Sequence, residues 1–311
     1  MLKDKLEIIL VTYNRKPYLE DTLNQLFCDD SPIKDCNFTI LDNCSTDGTS
    51  ELIEEYSKKY NNIKHIRHNK NIGGNANITR AIEIATKKYF WVLCDDDKYD
   101  WTNWKEINNA IEQDNDVILT KINDVEKSTH KGLIFRQLSF LPSGIYKSNI
   151  VTESVLQNAY FNVPFLFPHL ALAAEAINRN KSIYIPAQPI VSTENNTTDY
   201  CRGNASAHPY QKEIFWIVGF INAIQLIENK KLRYDIIDHL SCKKFGFFSE
   251  IAARFKLNRM YHNNSFYNIC NVFCGINFRQ KVQFILALIW LDIIYFIKRY
   301  ILRNKKYTPQ K

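Results

Sequence analysis

The first hundred residues alternate between short apolar runs and longer segments in which apolar residues recur every three or four positions. The longer segments have the spacing of amphipathic helices, and short apolar runs without polar alternation are typical of strands buried on both faces. The predicted strands are residues 6–13, 37–43, 62–68 and 89–94. Because a helical segment separates each pair of strands, the pattern predicts a β-α-β-α-β-α-β order with right-handed crossovers and a mostly parallel sheet.

Beyond residue 105 the pattern is less regular but still mixes strands and helices. It predicts a strand at 116–122, one or two strands within 132–151, a helix at 169–180 and a strand at 182–186. From about residue 209 the chain is helical and aromatic in pattern. The sequence therefore predicts an α/β domain over 1–208, with halves 1–100 and 101–208, and a helical C-terminal region over 209–311.

The segment 282–297 is nearly continuous apolar sequence, interrupted by Asp292. It is too short and too charged for a membrane-spanning helix, which needs about 20 apolar residues. Residues 298–311 contain six basic residues and no acidic one. This combination predicts a helix that lies in the membrane interface and is held there by anionic lipid. The alternative is a helix packed on the domain and followed by a solvated basic tail.

The net charge of the chain indicates what kind of partner it binds. The chain carries 40 Lys and Arg against 33 Asp and Glu, a formal net charge of +7. A positive balance favours an anionic partner such as phosphate groups or an anionic membrane surface, although a merely basic soluble protein remains the alternative. A nucleic-acid partner is not expected, because the basic residues gather in the tail and are not interleaved with aromatics along a groove.

The cysteines indicate a reducing compartment. The chain has 8 of them, with no C-x-x-C pair and no Cys/His cluster at zinc spacing. The N-terminal sequence MLKDKLEIIL has acidic residues around its apolar run, which is not the pattern of a secretory signal. We therefore expect reduced thiols and a cytoplasmic protein, peripheral at the inner face of the cytoplasmic membrane.

Polar residues follow each predicted strand. In open parallel sheets, ligands bind beyond the carboxyl ends of the strands, so these residues are predicted to lie together. Gly73 and Gly74, at a helix start, would let backbone amides approach an anion, or they simply form a turn. The strand-end residues are Thr12, Tyr13, Asp42, Asn43, Asp95, Asp96 and Asp97.

The run Asp95-Asp96-Asp97 concentrates negative charge in three adjacent positions. Adjacent carboxylates raise one another's pKa, so a bound cation would relieve their repulsion. Mg²⁺ and Mn²⁺ prefer oxygen ligands, and they often bind one or two carboxylates together with substrate phosphates. The alternative is an acidic turn whose carboxylates are solvated.

Four stretches together resemble the donor half of family 2 glycosyltransferases with the GT-A fold. They are IILVTYNRKPYLEDTLNQL, LDNCSTDGT, NKNIGGNANITRAIEIA and YFWVLCDDD. The resemblance covers residues 5–100 and extends more loosely to about 190. It implies an α/β fold with a GT-A-type, Rossmann-like, mostly parallel sheet flanked by helices, together with the helical C-terminal region.

The resemblance also implies site residues. In the family, the first strand end and the Asp after the second strand hold the nucleotide, and an Asp-x-Asp motif coordinates Mn²⁺ or Mg²⁺ on the diphosphate. A further His often joins the metal, and His208 is the candidate, although a lone loop His can also be solvated. The implied nucleotide-sugar residues are Thr12, Tyr13, Asn14, Asp42, Asn71, Gly73, Arg80, Asp95 and Asp96, and the implied metal ligands are Asp95, Asp97 and His208.

The general base departs from the family pattern. Inverting members use an Asp at the start of a helix after the Asp-x-Asp, but here that position reads Pro168-His169 and residues 140–190 contain no Asp. His169 is the predicted base, because an imidazole titrates near neutral pH. Alternatively it contacts the acceptor or the phosphates, or has only a structural hydrogen bond, and Glu175 is a weaker candidate.

The predicted function is that of a metal-dependent, inverting glycosyltransferase of bacterial surface polysaccharide or glycoconjugate synthesis. Its donor is a nucleotide-diphosphate sugar and its acceptor a glycan or a lipid-linked hydroxyl. A sugar nucleotidyltransferase is the first alternative, although TYNRKPYL lacks the glycines of a phosphate loop. The second is a non-catalytic nucleotide-sugar-binding protein that has lost its base.

Overall fold

The computed structural model describes residues 1–120, 130–193, 219–241 and 272–297. These residues belong to two compact units. The first contains 1–120, 130–193 and 226–228, and the second contains 219–225, 229–241 and 272–297. The boundary predicted between 208 and 209 lies outside the described residues and stays a prediction.

Within the described part of the first unit, seven strands form one sheet in the order β3-β2-β1-β4-β7-β6-β8. Strands β1 to β4 are parallel, β7 runs antiparallel between β4 and β6, and β8 is parallel to β6. The predicted α/β class with a mostly parallel sheet is therefore confirmed. The strands are β1 (Leu6–Thr12), β2 (Asn37–Asp42), β3 (Ile63–Arg67), β4 (Tyr89–Leu93), β5 (Asp97–Tyr99), β6 (Val117–Leu119), β7 (Gly144–Lys147), β8 (Ile183–Tyr184) and β9 (Val191–Thr193).

Helices flank the sheet and cover its apolar strands. In the second of them Pro17 occupies the first turn, where a missing backbone N–H costs nothing, and Leu19, Leu23 and Leu26 form the buried stripe. The first-unit helices are α1 (Leu2–Lys5), α2 (Lys16–Leu26), α3 (Thr49–Lys59), α4 (Gly74–Glu83), α5 (Trp104–Glu112), α6 (Lys131–Gln137), α7 (Glu153–Phe161) and α8 (Leu170–Asn178).

The sequence predicted one or two strands within 132–151. The structure has one strand there, β7, and the helix α6 precedes it. Helix α6 begins at His130, whose Nδ1 accepts a hydrogen bond from the Gly132 amide at 3.1 Å. Ile134 and Phe135 are buried on its inner side. A short apolar run has the same appearance in a buried strand and in a buried helix, and here the cap decides for the helix.

A second, small sheet extends the first unit beyond the end of β4. Strand β5 pairs antiparallel with β9, and Asp97 is the register partner of Thr193. The acidic run is therefore split, because Asp95 and Asp96 lie in the turn between β4 and β5 and Asp97 begins a new strand.

The described part of the second unit is helical. Residues 219–225 and 272–275 are helical, together with α9 (Lys230–Ser241) and α10 (Phe278–Phe296). Gln280 of α10 is buried and donates to the Tyr234 carbonyl at 3.1 Å and to Asp238 Oδ1 at 3.0 Å, which fixes α10 to α9. Among the described residues, no helix has the length and apolar character needed to cross a bilayer.

Candidate active site

Hydrogen bonds join the carboxyl ends of three adjacent parallel strands. The Asn43 amide, after β2, donates to the carbonyl of Thr12 at the end of β1 at 3.0 Å. The buried Thr12 hydroxyl donates to Asp95 Oδ2, after β4, at 2.6 Å. The prediction that the polar strand ends meet at one edge of the sheet is confirmed for these three strands.

Asp42, at the end of β2, is fully buried and surrounded by donors. The Ser45 amide donates to Oδ1 at 2.8 Å, the Ser50 hydroxyl donates to Oδ2, and Arg67 Nε lies 3.5 Å from Oδ2. Burial alone would raise the pKa of Asp42, but its interactions with His65, Ser45 and Ser50 outweigh burial and hold the pKa well below its ordinary value. Asp42 is therefore a charged acceptor that the protein itself stabilises.

The turn after β1 is tied to the turn after β2. Asn14 has a φ of 50°, in the left-handed region that Asn tolerates. Its amide donates to Ser45 Oγ at 2.9 Å, and its side-chain oxygen accepts from the Thr46 amide at 2.7 Å. Tyr13 is exposed beside this turn. Asn14 thus shapes the rim of the site, and the Tyr13 ring is accessible to a ligand.

The Asn71–Gly74 loop is bound to the same edge through Asn43. The side-chain Nδ2 of Asn43 donates to Asn71 Oδ1 at 2.8 Å, and its Oδ1 accepts from the backbone amide of Ile72 at 2.9 Å. Gly73 has a φ of 89°, which L-residues rarely adopt, and no atom lies within 4 Å of the Cβ position at Gly73 or Gly74. Space is therefore open beside the backbone at the start of α4.

Asp95 is as buried as Asp42 but has a different environment. It accepts from Thr12 and forms an ion pair with Arg15, whose Nε lies 3.0 Å from Oδ1. Burial raises the pKa of Asp95 to about 7 and Asp96 adds to the rise, although Arg15 and Thr12 act against both. A nearby positive charge would favour the ionised form.

Arg15 is a site residue that sequence reasoning missed. Its guanidinium bridges Asp95 and Asp96, with Nη2 2.5 Å from Asp96 Oδ2, and it lies over the Tyr18 ring with Cζ 4.3 Å from the centroid. A single Arg next to a predicted helix start carries no specific signal. Its position three residues after the end of β1 became meaningful only once β1 and β4 were known to be neighbours.

In the acidic run, the carboxylates of Asp96 and Asp97 lie close together. Ligand atoms of Cys94, Asp96 and Asp97 all lie within 4.8 Å of one another. The prediction paired Asp95 with Asp97, but the Asp95 carboxylate is directed to Thr12 and Arg15. The grouping differs because Asp95 and Asp96 lie in a turn, where alternate residues do not share a face as they do along a strand.

The donor set fits a hard divalent cation. Burial, followed by the neighbouring carboxylates, raises the pKa of Cys94 well above its ordinary value, so its sulfur stays a neutral thiol. Two carboxylates then remain, and Mg²⁺ and Mn²⁺ complete such a set with water and substrate phosphates. Asp96 and Asp97 are therefore the residues that would hold the metal.

Arg80 does not join the residues at the strand ends. It lies in the last turn of α4, six residues and about 9 Å along the helix from Gly74. Its Nη1 pairs with Glu83 Oε1 at 2.5 Å, and Glu83 also accepts from the Tyr160 hydroxyl. The structure therefore places Arg80 in a surface network between α4 and α7.

His169 is buried at the start of α8. Its Nε2 donates to the Ser139 carbonyl at 3.1 Å, and its Nδ1 has no hydrogen-bond partner among the described residues. Burial lowers the pKa of His169 to about 4, against the carbonyls of Ser139 and Leu138. Glu175 pairs with Arg179 at 3.4 Å, and His208 lies outside the described residues.

The family model described as Glycosyl transferase family 2 matches residues 7–180. Since the match covers more than half of the chain, the protein belongs to glycosyl transferase family 2. The resemblance drawn from the four sequence stretches is confirmed.

Curated relatives match shorter stretches. The abequosyltransferase RfbV of Salmonella typhimurium is 38% identical over 87 residues, which is 28% of this chain and 26% of that protein. The poly(ribitol-phosphate) β-N-acetylglucosaminyltransferase TarS of Staphylococcus aureus is 30% identical over 125 residues, 39% of this chain and 21% of TarS. The chain thus spans about a quarter of the length of these relatives.

Solved structures match over most of the chain. S. aureus TarS 1–349 in complex with UDP has a TM-score of 0.55 at 17% identity and covers 87% of this chain and 88% of its own. The mannosyltransferase PcManGT from Pyrobaculum calidifontis, in complex with GDP-Man and Mn²⁺, has a TM-score of 0.53 at 12% identity and covers 92% and 85%. At these identities the likeness shows the fold, which is GT-A-like as predicted.

Proposed function

We propose that the chain transfers a sugar from a nucleotide-diphosphate sugar to a hydroxyl of a glycan or lipid-linked acceptor in bacterial surface polysaccharide synthesis. The observation that carries this proposal is the hydrogen-bonded meeting of Asn43, Thr12 and Asp95 at one sheet edge. Relatives whose names include abequosyltransferase and poly(ribitol-phosphate) β-N-acetylglucosaminyltransferase support a surface-glycopolymer role.

The donor nucleotide would lie across the ends of β1 and β2. Tyr13 offers an accessible ring, the base-side carboxylate is Asp42, and Thr12 and Asn14 set the shape of the rim. The open space at Gly73 lets phosphate oxygens approach the amides at the start of α4, where the helix dipole favours negative charge. The role predicted for Arg80 has less support, since its guanidinium is engaged by Glu83.

The metal would be Mn²⁺ or Mg²⁺, held by Asp97 together with Asp96. When bound, such a cation stabilises the negative charge that develops on the departing diphosphate. Asp95, which was predicted as a ligand, contacts Thr12 and Arg15, so its role as a ligand has less support than that of Asp96. PcManGT, a structural relative, holds Mn²⁺ with GDP-Man, which supports a metal in this fold. His208 remains the proposed histidine ligand.

His169 remains the proposed base, with an inverting outcome. Its neutral imidazole keeps an Nδ1 lone pair without a partner among the described residues, which supports a proton-accepting role. Its lowered pKa of about 4 makes it a weak proton acceptor, so the proposed role requires that binding of the sugar acceptor raise its basicity. We expect His169→Gln to lower kcat about 100-fold or more at unchanged donor KM. A variant with wild-type kcat excludes the role.

The experiment that tests the function is a donor screen with the full chain. UDP-, GDP- and dTDP-sugars are each incubated with Mn²⁺, Mg²⁺ or EDTA, and release of the nucleoside diphosphate is measured. We expect metal-dependent release from one donor class, enhanced by a glycan-lipid acceptor. Calorimetric binding of a nucleotide without any turnover would contradict the proposal and favour a non-catalytic binding protein. Activity that is unchanged in EDTA would contradict the metal.

The acceptor and the location are linked in this proposal. A lipid-linked acceptor is made at the inner face of the cytoplasmic membrane, so a peripheral position there brings enzyme and acceptor together. The apolar sequence of α10 and the basic residues that follow it support this location.

A further inference from the structure

Helix α10 exposes a continuous apolar face. Large apolar side chains recur along it at spacings of three, four, seven and eight residues, and each is at least 39% exposed. At about 100° per residue they fall within an arc of about 140° that runs roughly 28 Å along the helix. They are Phe278, Val282, Ile285, Leu286, Ile289, Trp290, Ile293 and Ile297.

The opposite side of α10 is packed against its own unit. Gln280 and Phe284 are fully buried. Gln280 donates to Tyr234 and Asp238 on α9, and the Phe284 ring contacts Phe273 with centroids 5.5 Å apart. The rotation of α10 is therefore fixed, so its apolar face is directed outward by packing and does not result from a loosely held helix.

The charge next to this face indicates what covers it. Between residues 278 and 311 the sequence has eight basic residues and one acidic residue, Asp292. An exposed apolar helix face, followed in the sequence by basic residues, matches an anionic lipid surface, where each basic residue near the surface contributes about 1 kcal/mol. A soluble partner would need acidic residues to match this charge. A second copy of this chain docked through the same segment could not supply them, because the segment has one acidic residue.

We propose that the exposed face of α10 docks on an anionic lipid bilayer, with the helix axis in the plane of the interface. The apolar side chains enter the boundary between headgroups and acyl chains, and the basic residues contact anionic headgroups. This deepens the peripheral location proposed above by assigning the docking surface. It is independent of whether the site turns over a donor.

The test is flotation of the full chain with vesicles of phosphatidylcholine alone and vesicles that contain about 30% phosphatidylglycerol. The variant Leu286→Gln/Ile289→Gln/Trp290→Gln removes three exposed apolar side chains without changing charge, and Gln is a good helix former. The matched single substitutions are Trp290→Gln and Phe161→Gln, because Phe161 is also a largely exposed aromatic residue, on α7 of the first unit. Circular dichroism and melting temperature report whether each variant folds.

We expect the wild type to float with the anionic vesicles, and less in high salt, where screening shortens the reach of the basic residues. The triple variant should bind about tenfold more weakly or worse, Trp290→Gln several-fold more weakly, and Phe161→Gln as the wild type. Equal binding of wild type and triple variant overturns the proposal. So does a wild-type dimer that the triple variant makes monomeric without any vesicle binding. Donor turnover is measured in vesicle-free buffer, so an inactive chain that still floats leaves this proposal standing while the proposed function fails.

Discussion

Two carboxylates at the same sheet edge, Asp42 and Asp95, are both buried, and yet their pKa values shift in opposite directions. Asp42 has Ser45, Ser50 and the basic residues of β3 around it, and its pKa falls below the ordinary value. Asp95 has one hydroxyl and one guanidinium against the cost of burial, and its pKa rises to about 7. Burial is the first cause in both cases, and the hydrogen bonds outweigh it at Asp42 but not at Asp95.

The difference distinguishes a carboxylate whose charge the protein already stabilises from one whose charge the protein stabilises only in part. The environment of Asp42 already compensates its charge, so no ligand is needed to keep this carboxylate ionised. The acidic run after β4 has three carboxylates, and Arg15 bridges two of them, Asp95 and Asp96, so a bound cation would add to the compensation of its charge. Four variants would test this contrast.

The largest effect is expected at the metal-side pair. Asp96→Asn/Asp97→Asn should lower donor turnover about 1,000-fold, since a metal supplies several kcal/mol to the departing charge. Steady-state kinetics with Mn²⁺ measure it, and Asp100→Asn is the control, an exposed aspartate of the same segment whose capping role Asn can retain. Single substitutions then rank the three carboxylates. If Asp95→Asn weakens Mn²⁺ binding more than Asp96→Asn, the pairing of Asp96 with Asp97 is wrong.

Asp42→Asn removes a buried charge that its neighbours are arranged to stabilise. We expect a loss of about 2–4 kcal/mol in the free energy of unfolding at pH 7 and weaker nucleotide binding. Because the folded pKa is depressed, this stability is present above the ordinary pKa of 3.8 and is lost as the pH falls below it. Urea unfolding at pH 7 and pH 3 measures the change. A difference between variant and wild type that grows toward pH 3 would falsify the assignment.

Asp95→Asn should act in the opposite direction. The folded pKa is raised, so the wild type loses stability as the pH rises from 3.8 toward about 7. In EDTA at pH 8 we expect the variant to be more stable by about 1–3 kcal/mol, less than the shift alone implies because bonds to Arg15 and Thr12 weaken. The gain should vanish near pH 4. Equal destabilisation at both pH values would show that the carboxylate is as well compensated as Asp42.

The smallest effect concerns the loop tied to Asn43. Gly73→Ala places a Cβ in open space but at a φ of 89°, so only the backbone is strained. We expect a loss of about 1 kcal/mol in stability, with a several-fold rise in donor KM if phosphate oxygens approach there. Gly74→Ala is the control, since its φ is not in the left-handed region and its Cβ site is also open. Identical results for both would remove the special role of Gly73.

The alternation of strands and helices was readable from the sequence because buried strands and amphipathic helices have distinct periods. The strand ends and their polar residues followed from the topology of a parallel sheet. Helix α6 was not readable, because a short apolar run fits both structures and His is not among the residues that usually cap a helix N-terminus. Which two of the three aspartates lie close together depends on where β4 ends and where β5 begins. Three identical residues in a row carry no signal for those boundaries.

Thr12 belongs to both halves of the contrast, since its carbonyl accepts from Asn43 beside Asp42 and its hydroxyl donates to Asp95. A shared residue makes the two binding events thermodynamically linked. By reciprocity, the factor by which Mn²⁺ tightens nucleotide binding must equal the factor by which the nucleotide tightens Mn²⁺ binding. Thr12→Val, which keeps the backbone bond and removes the hydroxyl, should therefore reduce both factors equally, and the coupling that remains would come from the phosphates that contact the metal.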